Sequence, residues 1–136
     1  MSGIGIIGGT FDPIHNGHLI TARVVKEQRR LEKIIFIPCN ISPHKLHILS
    51  SNPEHRLNMV KIAIKPFPYF EASDYEIKKG EISFSFDTIS FLKQQYREIE
   101  LIIGFDNLVS FDTWKNPDEI LDLARLVVMR RNYNIG

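Results

Sequence analysis

The stretch GIIGGTFDPIHNGHL, residues 5–19, decides how the chain is read. An apolar run ends in two glycines, turns through Pro13 and reaches two histidines, His15 and His18, where a helical pattern begins. Glycine backbone can approach a ligand closely and adopt conformations closed to other residues. A helix starting there aims unpaired N–H groups and its positive dipole end at the same place. Imidazoles spaced i and i+3 can face one ligand. The turn therefore predicts a seat for a phosphate chain. It is neither G-x-x-x-x-G-K-[ST] nor G-x-G-x-x-G. His-x-x-His also suits zinc, yet no third ligand lies nearby at workable spacing, so no protein-bound metal is expected.

Outward from this turn the pattern alternates. IGIIG (4–8), KIIFIP (33–38), IELIIGF (99–105) and RLVVMR (125–130) are near-continuous apolar runs that predict strands buried on both faces. NGHLITARVVKEQRR (16–30) predicts a helix with Leu19, Ala22, Val24 and Val25 on one side. NPEHRLNMVKIAIK (52–65) opens with a cap signal and a proline, and brings Leu57, Val60 and Ile64 together. SFDTISFLKQQYR (85–97) is helical with Ile89, Leu92 and Tyr96 inward, NPDEILDLA (116–124) is a short capped helix, and 69–81 is strand-like in part. Strands separated by helices, joined by right-handed crossovers, predict an α/β, Rossmann-like, doubly wound parallel sheet in a single domain, 1–136.

The 136 residues fit one domain, commonly about 100–200 residues. Apolar residues form 43% of the chain, enough for a core. A net charge of +1 supplies no broad basic field, which excludes a nucleic acid polymer as partner and leaves room for a small anion. The single cysteine, Cys39, excludes an internal disulfide and reads as a packed residue. No apolar run approaches the roughly 18 residues of a membrane span, and the N-terminus lacks a basic leader. A soluble, cytoplasmic protein is expected.

GGTFDPIHNGH (8–18) resembles the G-T-F-D-x-x-H-x-G-H signature of the nucleotidylyltransferase superfamily. The resemblance implies nucleotidyl transfer from a nucleoside triphosphate to a phosphate-bearing acceptor. Three further segments narrow it: IPCNISPHK (37–45), GEISFSFDTISFL (80–92) and LIIGFDNLVSFDTW (101–114). Together they resemble the bacterial nicotinate-nucleotide adenylyltransferase family, with its P-H-K, S-Y-T and I-G-x-D-x-x-x-x-F-x-x-W patterns. Adenylyl transfer from ATP, with Mg²⁺, to nicotinate mononucleotide is what this implies.

Carried over residue by residue, the resemblance implies that Gly8, Gly9, Thr10, Phe11, His15 and His18 bind ATP, with the two histidines catalytic. It implies that Lys45 holds the acceptor's phosphate, that Asp106 serves nucleotide and acceptor, and that Trp114 stacks on the pyridine ring. Lys45 could equally be a surface lysine and Asp106 a helix cap. The family's S-Y-T reads Ser83-Phe84-Ser85 here, so backbone amides rather than a tyrosine hydroxyl would meet the nicotinate carboxylate. The family's I-S-[ST]-T-x-[IV]-R segment has no counterpart before Gly136, so the chain reads as the first two thirds of such an enzyme. The last strand, with Val127 and Met129 on one face and Leu126 and Val128 on the other, is then expected to leave one face partly bare and open to homo-oligomer formation. Pantetheine phosphate or glycerol phosphate as acceptor, and a nucleotide-binding domain without turnover, are the rival readings.

Overall fold

The computed structural model describes residues 3–43, 46 and 51–129. Five parallel strands form one sheet: β1 (Ile4–Gly9), β2 (Lys33–Pro38), β3 (Phe70–Ala72), β4 (Ile99–Gly104) and β5 (Arg125–Met129). Their spatial order is β3-β2-β1-β4-β5. The chain thus winds outward from β1 to β3, returns to the far side of β1 and winds outward again. That reversal between β1 and β4 leaves a crevice beyond their carboxyl ends, where ligands bind in open α/β sheets. Ile4 pairs with Lys33 of β2 and with Ile99 of β4, so β1 is central.

The apolar runs are continuous because the sheet is covered twice. Ile34 and Phe36 of β2 face helices α1 (Asn16–Arg29) and α2 (Pro53–Ile64), in a core with Ala22, Val25, Val60 and Ile64. Their neighbours Ile35 and Ile37 face the opposite core, built by Ile89 and Leu92 of α4 (Ser85–Leu92) and Ile120 of α6 (Pro117–Leu123). The doubly wound expectation holds. None of the described helices is long and apolar enough to cross a membrane.

Several local expectations change. Val24 is 44% exposed, because it lies two residues from Ala22 and a helix sends such positions to different sides. The helix predicted over 85–97 ends at Leu92, although Tyr96 still packs on the core. The segment 69–81 holds a three-residue strand and then an unforeseen helix, α3 (Tyr75–Lys79), closed by Gly80 in the left-handed region at φ 71. Phe105 begins a further short helix, α5 (Phe105–Val109), instead of ending β4. No residue of β5 is fully buried, and Val128 is exposed.

Candidate functional site

Beyond Gly9 the chain turns through Thr10, Phe11 with φ 49, and a cis Asp12–Pro13 bond. Phe11 is 5% exposed, and its ring lies edge-on to Phe36 and to His18. Its side chain therefore belongs to the core and leaves only its backbone to a ligand. Neither Gly8 nor Gly9 has a positive φ. A Cβ on Gly8 would meet nothing closer than Ile37 O at 3.8 Å, and one on Gly9 would make ordinary contact with Phe11. What the missing Gly8 side chain leaves is open space above the turn.

His15 and His18 cap α1 reciprocally. The Gly17 amide donates to His15 Nδ1 at 3.1 Å, and the His15 amide donates to His18 Nδ1 at 3.0 Å. Because Nδ1 accepts in each ring, the proton of a neutral imidazole there resides on Nε2. The rings lie 3.9 Å apart. Burial, with the neighbouring His15 adding to it, pushes the His18 pKa down to about 4. A neutral His18 is thus an N–H donor at pH 7. Gly17 permits this stacking, since a Cβ there would stand 2.9 Å from the His15 ring.

Two cavities open beyond the strands, both bordered by Gly8, Gly9, Thr10 and Asn107. The larger, 950 Å³, holds Asp12, His15, His18 and Gly104, where a Cβ would meet nothing within 4 Å. The smaller, 380 Å³, is walled by Ser83, Phe84, Ser85, Trp114, Lys115 and Glu76. The glycine–histidine turn and the aromatic wall, some 70–100 residues apart in the chain, therefore share one crevice.

Within that wall Ser83 is 7% exposed. Its amide donates to Ile41 O at 2.9 Å and its hydroxyl accepts from the Asn40 amide at 2.9 Å. Ser83 thus ties the loop after β2 to the start of α4, while Phe84 and Ser85 open that helix. Trp114 follows a single 3-10 turn and leans on Phe111, ring centres 5.0 Å apart. Asp106 is exposed on α5 and borders neither cavity, whereas the adjacent Asn107 borders both. Lys45, with His44, lies outside the described residues.

Four residues escaped the sequence reading. Asn107 is one. Lys115 places Nζ 4.9 Å from the Phe84 ring centre and, with Lys79, pairs with Asp87 at 3.2 Å. Glu76 is 7% exposed and accepts from Thr88 Oγ1 at 2.5 Å. Burial pushes its pKa up to about 7, against hydrogen bonds from Thr88 and Ser83 that favour ionisation. Arg56 of α2 is wholly buried beneath the turn. Spacing alone could not find these residues, because Lys115, Glu76 and Arg56 matter through partners distant in sequence and Asn107 through its place on both cavities. Among the described residues no three His, Cys, Asp or Glu side chains gather as a metal site.

Residues 6–135 match the cytidylyltransferase-like family. A Clostridium beijerinckii protein named "Probable nicotinate-nucleotide adenylyltransferase" is 44% identical over 96% of this chain and 67% of its own length. A Caldicellulosiruptor saccharolyticus protein of the same name is 40% identical over 96% of this chain and 66% of its own. The chain thus spans about two thirds of these relatives. The fold matches Plasmodium falciparum nicotinic acid mononucleotide adenylyltransferase complexed with NaAD, with a TM-score of 0.83 at 19% identity. That match covers all of this chain and 68% of the other.

Proposed function

Since the chain belongs to the cytidylyltransferase-like family, and within it to the nicotinate-nucleotide adenylyltransferases, we propose that it transfers an adenylyl group from ATP to nicotinate mononucleotide. A phosphate oxygen of the acceptor attacks the α-phosphorus in line, the bond to the β-phosphate oxygen breaks, and deamido-NAD and pyrophosphate leave. The observation that carries this reading is the shared crevice, with a phosphate turn on one side and an aromatic wall on the other.

The substrate is MgATP, whose metal travels on the phosphates. Phosphoryl-type transfer asks the protein mainly for positioning and for donors aimed at developing charge. The Nε2–H groups of His15 and His18 and the backbone of residues 8–11 fill that role. Trp114 offers a flat face to the pyridine ring. The first amides of α4, with Lys115 beside them, suit its carboxylate. Lys45 for the acceptor's phosphate and Asp106 for a ribose rest on the family resemblance.

Pyrophosphate release from ATP tests the proposal, with acceptors compared at equal concentration. Release should require nicotinate mononucleotide and be slower with the amide analogue, whose own N–H groups would face donors. Equal release with both would overturn the carboxylate site. Preference for pantetheine phosphate or glycerol phosphate would reassign the acceptor. ATP binding without any release would leave a nucleotide-binding domain.

A further inference from the structure

Arg56 is 0% exposed, and its described hydrogen bonds all go to main-chain carbonyls. Nη1 donates to Thr10 O at 2.6 Å, Nη2 to Cys39 O at 2.9 Å and Asn40 O at 3.3 Å, and Nε to Ser51 O at 3.0 Å. Burying a permanent cation is costly without such partners. The planar fork of N–H groups can serve several acceptors at once, which an ammonium on a flexible stem cannot do in the same geometry. The bonds run to the ligand edge of the sheet: Thr10 follows β1, Cys39 and Asn40 follow β2, and all three border the larger cavity.

We propose that Arg56 is a positioning residue that ties the phosphate turn to the acceptor wall and so sets the spacing of the two substrates; this rests on the adenylyl-transfer reading. In a trans peptide the C=O and N–H point opposite ways. Drawing Thr10 O inward aims the Phe11 amide away from the guanidinium. Drawing Cys39 O inward aims the other end of that peptide, the Asn40 amide, at Ser83 Oγ, 2.9 Å away. Ser83 precedes the Phe84–Ser85 start of α4, so a chain of three hydrogen bonds joins Thr10 to the wall. Asp12 reinforces it from the turn by accepting the Ser51 amide at 2.7 Å.

The test uses this chain with Arg56→Lys and Ser83→Ala, at a temperature where circular dichroism shows the parent's fold. Titration calorimetry reads ATP and nicotinate mononucleotide separately, and pyrophosphate release reads turnover. Arg56→Lys should weaken both ligands by about tenfold each, the scale of one hydrogen bond to a charged group. Ser83→Ala, cutting the chain at its far end, should weaken the acceptor alone. Parental affinity for either ligand in Arg56→Lys overturns the proposal, as does an equal loss for both ligands in Ser83→Ala. If Arg56→Lys does not fold, the Ser83→Ala split decides. If the parent binds ATP but shows no turnover with this acceptor, the functional reading fails, and the ATP affinity of Arg56→Lys still decides for Arg56. A parent that binds no ATP overturns both.

Discussion

At His18, Nδ1 accepts the His15 amide, so protonating that nitrogen would set a donor against a donor. Burial and the adjacent His15 act in the same direction and bring the pKa from 6.5 down to about 4. Because the folded value lies below the unfolded one, the ring's contribution to stability is complete above pH 6.5 and is lost as pH falls towards 4. An NMR titration of the free chain should find the His18 imidazole half-protonated near pH 4, moving upward when triphosphate binds. A midpoint near 6.5 without ligand would refute the capped, half-buried geometry. His18→Ala should lower turnover about 10²–10³-fold, the scale of losing one transition-state donor. Near-parental turnover in the folded variant would remove His18 from the reacting centre.

Helices α3 and α4 meet through Glu76 and Thr88, and this pairing places a carboxyl group in the wall of the smaller cavity. Here the shift runs the other way, from 4.5 up to about 7. The fold favours the protonated acid, so the contribution of Glu76 to stability is complete below pH 4.5 and is lost as pH rises through 7. Glutamine keeps the shape and never ionises. Glu76→Gln should therefore gain on the parent between pH 4.5 and 7, approaching about 3 kcal/mol above pH 7 if the whole shift is expressed. Urea unfolding of both chains across pH 4–8 measures the gap, and a constant difference would contradict the assignment. The comparison also cancels His18, whose contribution changes in the opposite sense over the same range.

Across the whole molecule, β1 is the axis on which both cores and the ligand crevice depend. A Cβ on Gly5 would stand 2.7 Å from the tip of Ile34, 2.9 Å from Ile102 and 2.9 Å from Leu31, side chains of three different segments. Three residues along the same strand, a Cβ on Gly8 would project into the crevice region with nothing nearer than 3.8 Å. Gly5→Ala should lower unfolding free energy by about 1–3 kcal/mol, the usual cost of overpacking a core. Gly8→Ala should leave stability unchanged and weaken ATP. Chemical denaturation paired with ATP titration checks both, and the reverse pattern would mean that the crevice is not the ligand's space.

By itself the sequence determined the doubly wound sheet and the glycine–histidine turn that opens α1. Both are written in contiguous residues: apolar runs such as KIIFIP record burial on two faces, and GGTFDPIHNGH holds its glycines and histidines within one turn. It also placed Trp114 and Ser85 on the wall of the same crevice. Tertiary structure decided what local periodicity cannot carry. It turned Val24 outward, made Phe11 a core side chain and set Asn107 rather than Asp106 on the cavities. It also buried Glu76 against Thr88 and enclosed Arg56 among carbonyls up to 46 residues away. A hydrogen bond between distant residues leaves no spacing in the chain, since its geometry exists only once the strands have brought their loops to a common edge.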